Sequence, residues 1–311
     1  MMRTVFFKSA AVIIFCTSGL LSFNQPEDKS FLYGFLEQVY RQQKNLLKEE
    51  SLYKKAIAVF PDMEGEYLYK LADVYERAGE FEKALELLEE IGKKFPSDAV
   101  SARAQLTSAW IYCHRFGEYK RAARIYKKLA KKNVLPWLKS SALLGAAETY
   151  EFAHKYKRAL RGYSKVVKKF PLTPAAYDAG LRVDAIQNGN DCGGEALKLF
   201  TLNYRYWRAK KFNESIAVCR KIVSEYPDSY LAASAQYYKG FMLQFDLEDY
   251  ENAIIEYQKV LKNYPASGRA SFALYRIGEC YKNQGKFIMT NEINMRVLRE
   301  YPGSLPTRWI K

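Results

Sequence analysis

The residues best suited to chemistry are few. The chain has two histidines, His114 and His154, and five cysteines. A histidine beside a cysteine can generate a thiolate nucleophile, and Cys192 lies in a loop-like tract, residues 188–194 (NGNDCGG). Nothing in that tract supplies a base, and the histidines fall near the end of one helix and at a helix–helix turn. Neither they nor the scattered cysteines have the spacing of metal ligands. Gly189, Gly193 and Gly194 resemble a phosphate loop only superficially. No strand precedes them and no lysine follows in register, so they read as hinge glycines. Asn213-Glu214-Ser215 matches a glycosylation acceptor but sits at a helix start, where the match is fortuitous. The expectation is a protein without catalysis, metal or cofactor.

Charge is the stronger signal. The formal net charge is +15, and residues 120–169 hold fifteen Lys or Arg against two acids, Glu148 and Glu151. Six cations, Lys120, Arg121, Arg124, Lys128, Lys131 and Lys132, recur in register as Lys157, Arg158, Arg161, Lys165, Lys168 and Lys169. Two helices carrying them side by side would merge the sets into one basic ridge. An ordinary solvated face mixes signs, and this one does not. Its candidate partners are anionic lipid, a cell-wall polyanion or an acidic protein. Nucleic acid is disfavoured, because no aromatic residues interleave on the same face.

The elements that position these residues are repeats. Aromatic-proline pairs close six copies: Phe60-Pro61, Phe95-Pro96, Phe170-Pro171, Tyr226-Pro227, Tyr264-Pro265 and Tyr301-Pro302. Twenty-one residues before the proline stand Tyr40, Tyr75, Tyr150, Tyr206 and Tyr281, with Gln244 as the exception. Twelve before stand Glu49, Ala84, Ala159, Ser215, Ala253 and Thr290, and five before stand Ala56, Ile91, Val166, Ile222, Val260 and Val297. Small residues let two helices approach; large ones fill the gaps at i, i+3, i+4 and i+7 spacing. Gly79 and Gly285 break the helix at the internal turn. The pattern predicts hairpins at about 31–61, 66–96, 101–136, 139–171, 196–227, 229–265 and 268–302.

Proline spacings of 35 and 37 residues, with these aromatic and small positions, resemble the tetratricopeptide repeat. The resemblance covers about 30–302 and implies an all-α solenoid of about seven helical hairpins. It departs near Pro136, where Leu135 replaces the aromatic, and between Pro171 and Pro227, where residues 174–187 read as an unpaired helix. The layout expected is an N-terminal array with its closing helix (31–187), a hinge loop (188–195) and a C-terminal array (196–311). The alternative is one continuous stack with an insertion.

Long repeats of this kind behind an export signal resemble bacterial envelope adaptors, namely the outer-membrane β-barrel assembly lipoprotein and the Tol-Pal accessory protein. Residues 226–265 carry most of that likeness. The resemblance implies a non-catalytic scaffold that binds peptide segments in a concave groove lined by first helices. Template positions there hold Tyr69, Asp73, Glu76, Glu148, Glu151, Tyr204, Trp207, Tyr275 and Glu279. The pairs Tyr69/Asp73, Leu144/Glu148 and Tyr275/Glu279 lack the Lys and Asn of the carboxylate-clamp subfamily. An aromatic and acidic groove would suit a segment with basic and apolar residues.

Arg3 and Lys8 flank an apolar start, and residues 9–23 carry no charge over fifteen positions. That is shorter than the roughly 20 residues of a membrane span and matches a secretory h-region. Residues 1–24 are therefore expected to be a signal peptide or N-terminal anchor, and 25–30 a polar linker. The protein would be exported, periplasmic or membrane-associated. Phe15 before Cys16 argues against a lipid attachment site. Cys113, Cys219 and Cys280 sit within helical stretches of different repeats and read as small buried hydrophobes, not disulfide partners.

Overall fold

A computed structural model describes residues 26–310, and every regular element among them is helical. Seven antiparallel hairpins follow in order. They pair α1 (Pro26–Gln42) with α2 (Leu46–Val59), α3 (Glu64–Ala78) with α4 (Phe81–Lys94), and α5 (Ala99–His114) with α6 (Tyr119–Lys131). Next, α7 (Pro136–Phe152) pairs with α8 (Tyr156–Lys169), and α9 (Pro174–Asn188) stands unpaired. The last three are α10 (Glu195–Arg208) with α11 (Phe212–Glu225), α12 (Ala232–Phe245) with α13 (Tyr250–Asn263), and α14 (Arg269–Asn283) with α15 (Phe287–Glu300).

The register read from the sequence coincides with burial. Ile91, Val166, Ile222, Val260 and Val297, five residues before their prolines, have no exposed surface, and neither do Ala84, Ala159, Ser215 and Ala253, twelve before. An aromatic caps every second helix except α6 because the following proline lacks an N–H and clashes with a continuing turn. The internal turns share one backbone device. Lys44, Gly79, Gly117, His154, Lys210, Glu248 and Gly285 all have positive φ, and each stands two residues before its second helix. Gly79 and Gly285 take that left-handed position without steric cost. His154 occupies the same position, which accounts for it as a turn residue.

The chain divides into two compact units, one up to Ala104 and the other from Gln105. Residues 188–195, where a hinge is expected, lie inside the second unit. One hydrophobic cluster runs from Leu144, Tyr163 and Val166 through Ala179 and Ile186 to Phe200, Leu231 and Met242. Asp191 ties the loop down, accepting from Ser229 Oγ at 2.7 Å and from the Tyr230 amide at 2.6 Å. Two expectations need correction. Residues 26–30 of the anticipated linker already belong to α1. Pro136 opens α7 at its first position, where a missing N–H costs nothing, and does not close α6. The signal or anchor expected at 1–24 lies outside the described residues. Among those described, no helix is long and apolar enough to cross a membrane.

Close helix approach limits the second unit. A Cβ on Gly162 of α8 would lie 2.8 Å from Ala147 Cβ and 3.3 Å from Ala147 Cα on α7. That backbone cannot yield without parting the helices. Gly162→Ala should therefore lower stability by about 1–3 kcal/mol in urea unfolding, although alanine favours helix. An unchanged or raised midpoint would show that the contact does not limit packing.

Candidate functional site

The anticipated groove residues are divided between the two units. In the first unit, Tyr69 lies beneath the Arg103 guanidinium at 4.6 Å. Asp73 is held by Arg41 at 3.1 Å and Arg77 at 3.0 Å. Glu76 is half-buried one turn further on. Arg77 also pairs with Glu49, a fully buried acid at a position small in the other copies.

In the second unit, Glu148 and Glu151 face inward. Both are completely buried on α7. Glu151 is ion-paired with Arg182 of α9, whose Nε donates at 3.1 Å. It also accepts from Tyr163 of α8 at 2.7 Å and Thr201 of α10 at 3.0 Å. Glu148 accepts from Tyr204 at 2.6 Å and lies 3.2 Å from Arg208 Nε. The His114 ring is buried 3.8 Å from the same carboxylate, beyond hydrogen-bond reach. Burial pushes that imidazole below its ordinary pKa, so it is neutral near pH 7. Burial pushes the Glu148 carboxyl up more than any single neighbour pulls it down, but the Arg208 guanidinium, the adjacent His114 ring and the Tyr204 hydroxyl together outweigh it and hold the group down at about 2. These acids act as structural keystones, turned away from solvent.

Around them a different site assembles. Tyr204 and Trp207 of α10, Tyr237 and Phe241 of α12, Phe272 of α14 and Trp309 line a cavity of about 150 Å³. Tyr204 and Trp207 stack with centroids 6.0 Å apart, and Trp207 Nε1 donates to Asp246 at 3.1 Å. Trp309 closes one end edge-on to Phe272, at 5.8 Å. Tyr275 supports Trp309 at 5.3 Å, and Glu279 is occupied with Lys282 at 3.8 Å.

The polar character of the cavity is cationic. Arg182 is spent on Glu151, but Arg269 and Arg276 also line it, and among the described residues neither has a carboxylate within ion-pair distance. Arg269 donates to Ser234 Oγ at 3.0 Å with its guanidinium 5.5 Å from the Tyr237 and Tyr238 rings. Arg276 sits 4.9 Å from the Phe245 ring. Asp178 is the cavity's one acid, and burial pushes its carboxyl above the ordinary value. A shallower groove of about 720 Å³ shares Tyr177, Leu181, Arg269 and Phe272 with the cavity and extends it past Tyr230 and Tyr264. Sequence reasoning placed Tyr204 and Trp207 here but missed Arg269 and Arg276. Their recurrence at i and i+7 on one first helix was the available signal.

On the other face, eleven of the twelve ridge cations are exposed and Lys132 is half-buried. Arg121 alone among them is ion-paired, to Glu118 at 3.4 Å. All four described cysteines carry free thiols; Cys113, Cys219 and Cys280 are buried and Cys192 is exposed. No group of three potential metal ligands occurs among the described residues.

Tetratricopeptide-repeat family models match residues 65–109, and residues 141–173 and 234–267. No curated protein matches the chain. Among solved structures, a tetratricopeptide repeat protein from Parabacteroides merdae is 14% identical over 89% of this chain and 97% of its own, with TM-score 0.42. The apo form of RapI is 16% identical over 88% and 98%, with TM-score 0.42. The TPR2AB domain of yeast Sti1, solved with an HSP90 peptide, is 13% identical over 80% and 96%, with TM-score 0.34.

The depressed Glu148 pKa makes a signed prediction. A carboxyl with ordinary value 4.5 that titrates at about 2 when folded stabilises the fold above pH 4.5. That contribution disappears as pH falls toward 2. Glu148→Gln should cost up to about 3 kcal/mol at neutral pH, since Arg208 retains some contact with water. It should also flatten the fall in stability within the acid window. Urea titrations of both proteins at several pH values would reveal this, and parallel pH profiles would contradict it.

Proposed function

Taking as premise that the chain carries tetratricopeptide repeats, we infer that it is a non-catalytic interaction scaffold that captures a partner's peptide segment. The capture site is the aromatic cavity of the second unit with its adjoining groove. The observation that carries this reading is the pair Arg269 and Arg276, two guanidiniums without a carboxylate partner set among aromatic rings. Guanidiniums in partly dry surroundings favour planar anions, which they grip bidentately. The rings beside them favour an apolar or aromatic side chain. The groove's extent suits an extended chain better than a compact small molecule. The preferred segment alternates acidic and apolar residues, the reverse in charge of the basic segment anticipated for an acidic groove.

Export to the cell envelope belongs to the same reading and rests on residues 1–24 alone. The mass of the protein recovered from its own cells should show loss of roughly the first 18 to 24 residues, or retention of the full chain in the membrane fraction. A full-length mass in the soluble cytosol would remove the envelope placement and leave the groove untouched.

Panning a random peptide library on the full chain tests the capture site. Enriched peptides should carry carboxylates spaced by apolar residues. Arg269→Glu with Arg276→Glu should weaken their binding by about tenfold or more without shifting the urea midpoint. Enrichment of basic peptides, or binding indifferent to both reversals, would refute the assignment.

A further inference from the structure

The two acids of the basic block, Glu148 and Glu151, are the fully buried carboxylates paired to Arg208 and Arg182, residues outside the block. The excess of fifteen cations over two acids read from the sequence therefore understates the surface. From 120 to 169, the block contributes fifteen cations and no exposed acid.

At one end of this block, apolar side chains protrude. Leu172, in the turn between α8 and α9, is 98% exposed; Leu135 and Trp137, at the turn between α6 and α7, are 54% and 47% exposed. The two turns are neighbours. Val134 and Pro136 of the first and Phe170 of the second line one cleft of about 840 Å³. Five lysines, Lys127, Lys131, Lys139, Lys165 and Lys169, rim that cleft.

We propose that this end of the second unit docks on an anionic lipid bilayer. Leu135, Trp137 and Leu172 enter the interfacial layer while the lysines meet headgroup phosphates. The inference is independent of the peptide site. The side-chain types decide for a bilayer over an acidic protein. Trp and Leu beside Lys is the composition that settles at a membrane interface, where lysine stems run along apolar surface and their ammonium groups reach phosphate. The apolar residues stand out from the turns and are not recessed, so they suit a soft, deformable surface. The cations of the cleft are lysines, flexible point charges with none of the fixed fork of arginine.

The test uses the full chain with phosphatidylcholine vesicles and phosphatidylglycerol–phosphatidylcholine vesicles. Salt-sensitive cosedimentation with the anionic vesicles alone is expected. Reversal of Lys131, Lys139, Lys165 and Lys169 to Glu should weaken it at least about tenfold. Trp137→Ala with Leu172→Ala should weaken it as well, and urea midpoints should be retained in both variants. An environment-sensitive fluorophore attached through Leu172→Cys, with Cys192→Ser and Cys16→Ser removing the exposed thiol among the described residues and the one outside them, should shift to the blue on anionic vesicles. The same label through Gln187→Cys, at the far end of α9, should not. Vesicle binding that survives the four reversals would assign it to another part of the chain and overturn the proposal. So would failure to bind vesicles while binding polyglutamate, which would make the face a seat for an acidic protein.

Discussion

Two carboxylates one turn apart on α7 have no access to water, and an ionised acid in that setting persists only if cations and hydroxyls reach it. Glu151 receives Arg182 from α9, Tyr163 from α8 and Thr201 from α10. Glu148 receives Tyr204 and Arg208 from α10. Three helices, α8, α9 and α10, are thereby fixed in position around one turn of α7, an arrangement that apolar packing alone would leave adjustable. Losing one partner of such a pair typically costs about 3–5 kcal/mol, because the other is left charged and dry. The arrangement specifies register more than it adds stability.

That requirement gives α9 its place. A helix without a hairpin partner could have been a loosely attached insertion. Arg182 anchors it through Glu151, and its Ala175, Ala176 and Ala179 are buried in the shared cluster. Once seated, α9 presents Tyr177, Asp178 and Leu181 to the aromatic cavity formed by α10, α12 and α14. Arg182 bridges the two systems: its guanidinium serves Glu151 and also lies 4.4 Å from the Tyr204 ring. The cavity thus inherits its shape from an ion pair of which only Arg182 reaches its wall.

The fold was legible because each hairpin repeats a local rule. The residues five and twelve before the proline must be buried wherever two helices meet, so their types recur at fixed spacing. The unpaired helix was legible for the converse reason, an apolar segment outside that spacing. The site was less so. Template positions put Glu148 and Glu151 on a groove face, which holds when first helices alone line the inside. Here α9 and α10 cover that face, and the cations that satisfy the acids are 31 and 60 residues away in sequence. No local pattern reports such pairing. Residues 188–194 are rich in glycine and read as a hinge, yet Asp191 is held by Ser229 and Tyr230 ahead of the next repeat. Tyr204 was legible as an aromatic, although it serves as both cavity wall and donor to Glu148.

The same buried acids shape the outer surface. Carboxylates drawn inside by Arg182 and Arg208 cannot neutralise the lysines of α6 and α8, and each of those arginines spends its own charge inside. Basic character is therefore separated by sign: compensated charge in the interior, uncompensated charge outside. Had Glu148 and Glu151 faced solvent, they would have stood among the ridge lysines as ordinary surface pairs worth little energetically. Turned inward, they organise the cavity and leave residues 120–169 without an exposed acid. The aromatic cavity and the cationic surface of this unit have a common physical origin in one turn of α7.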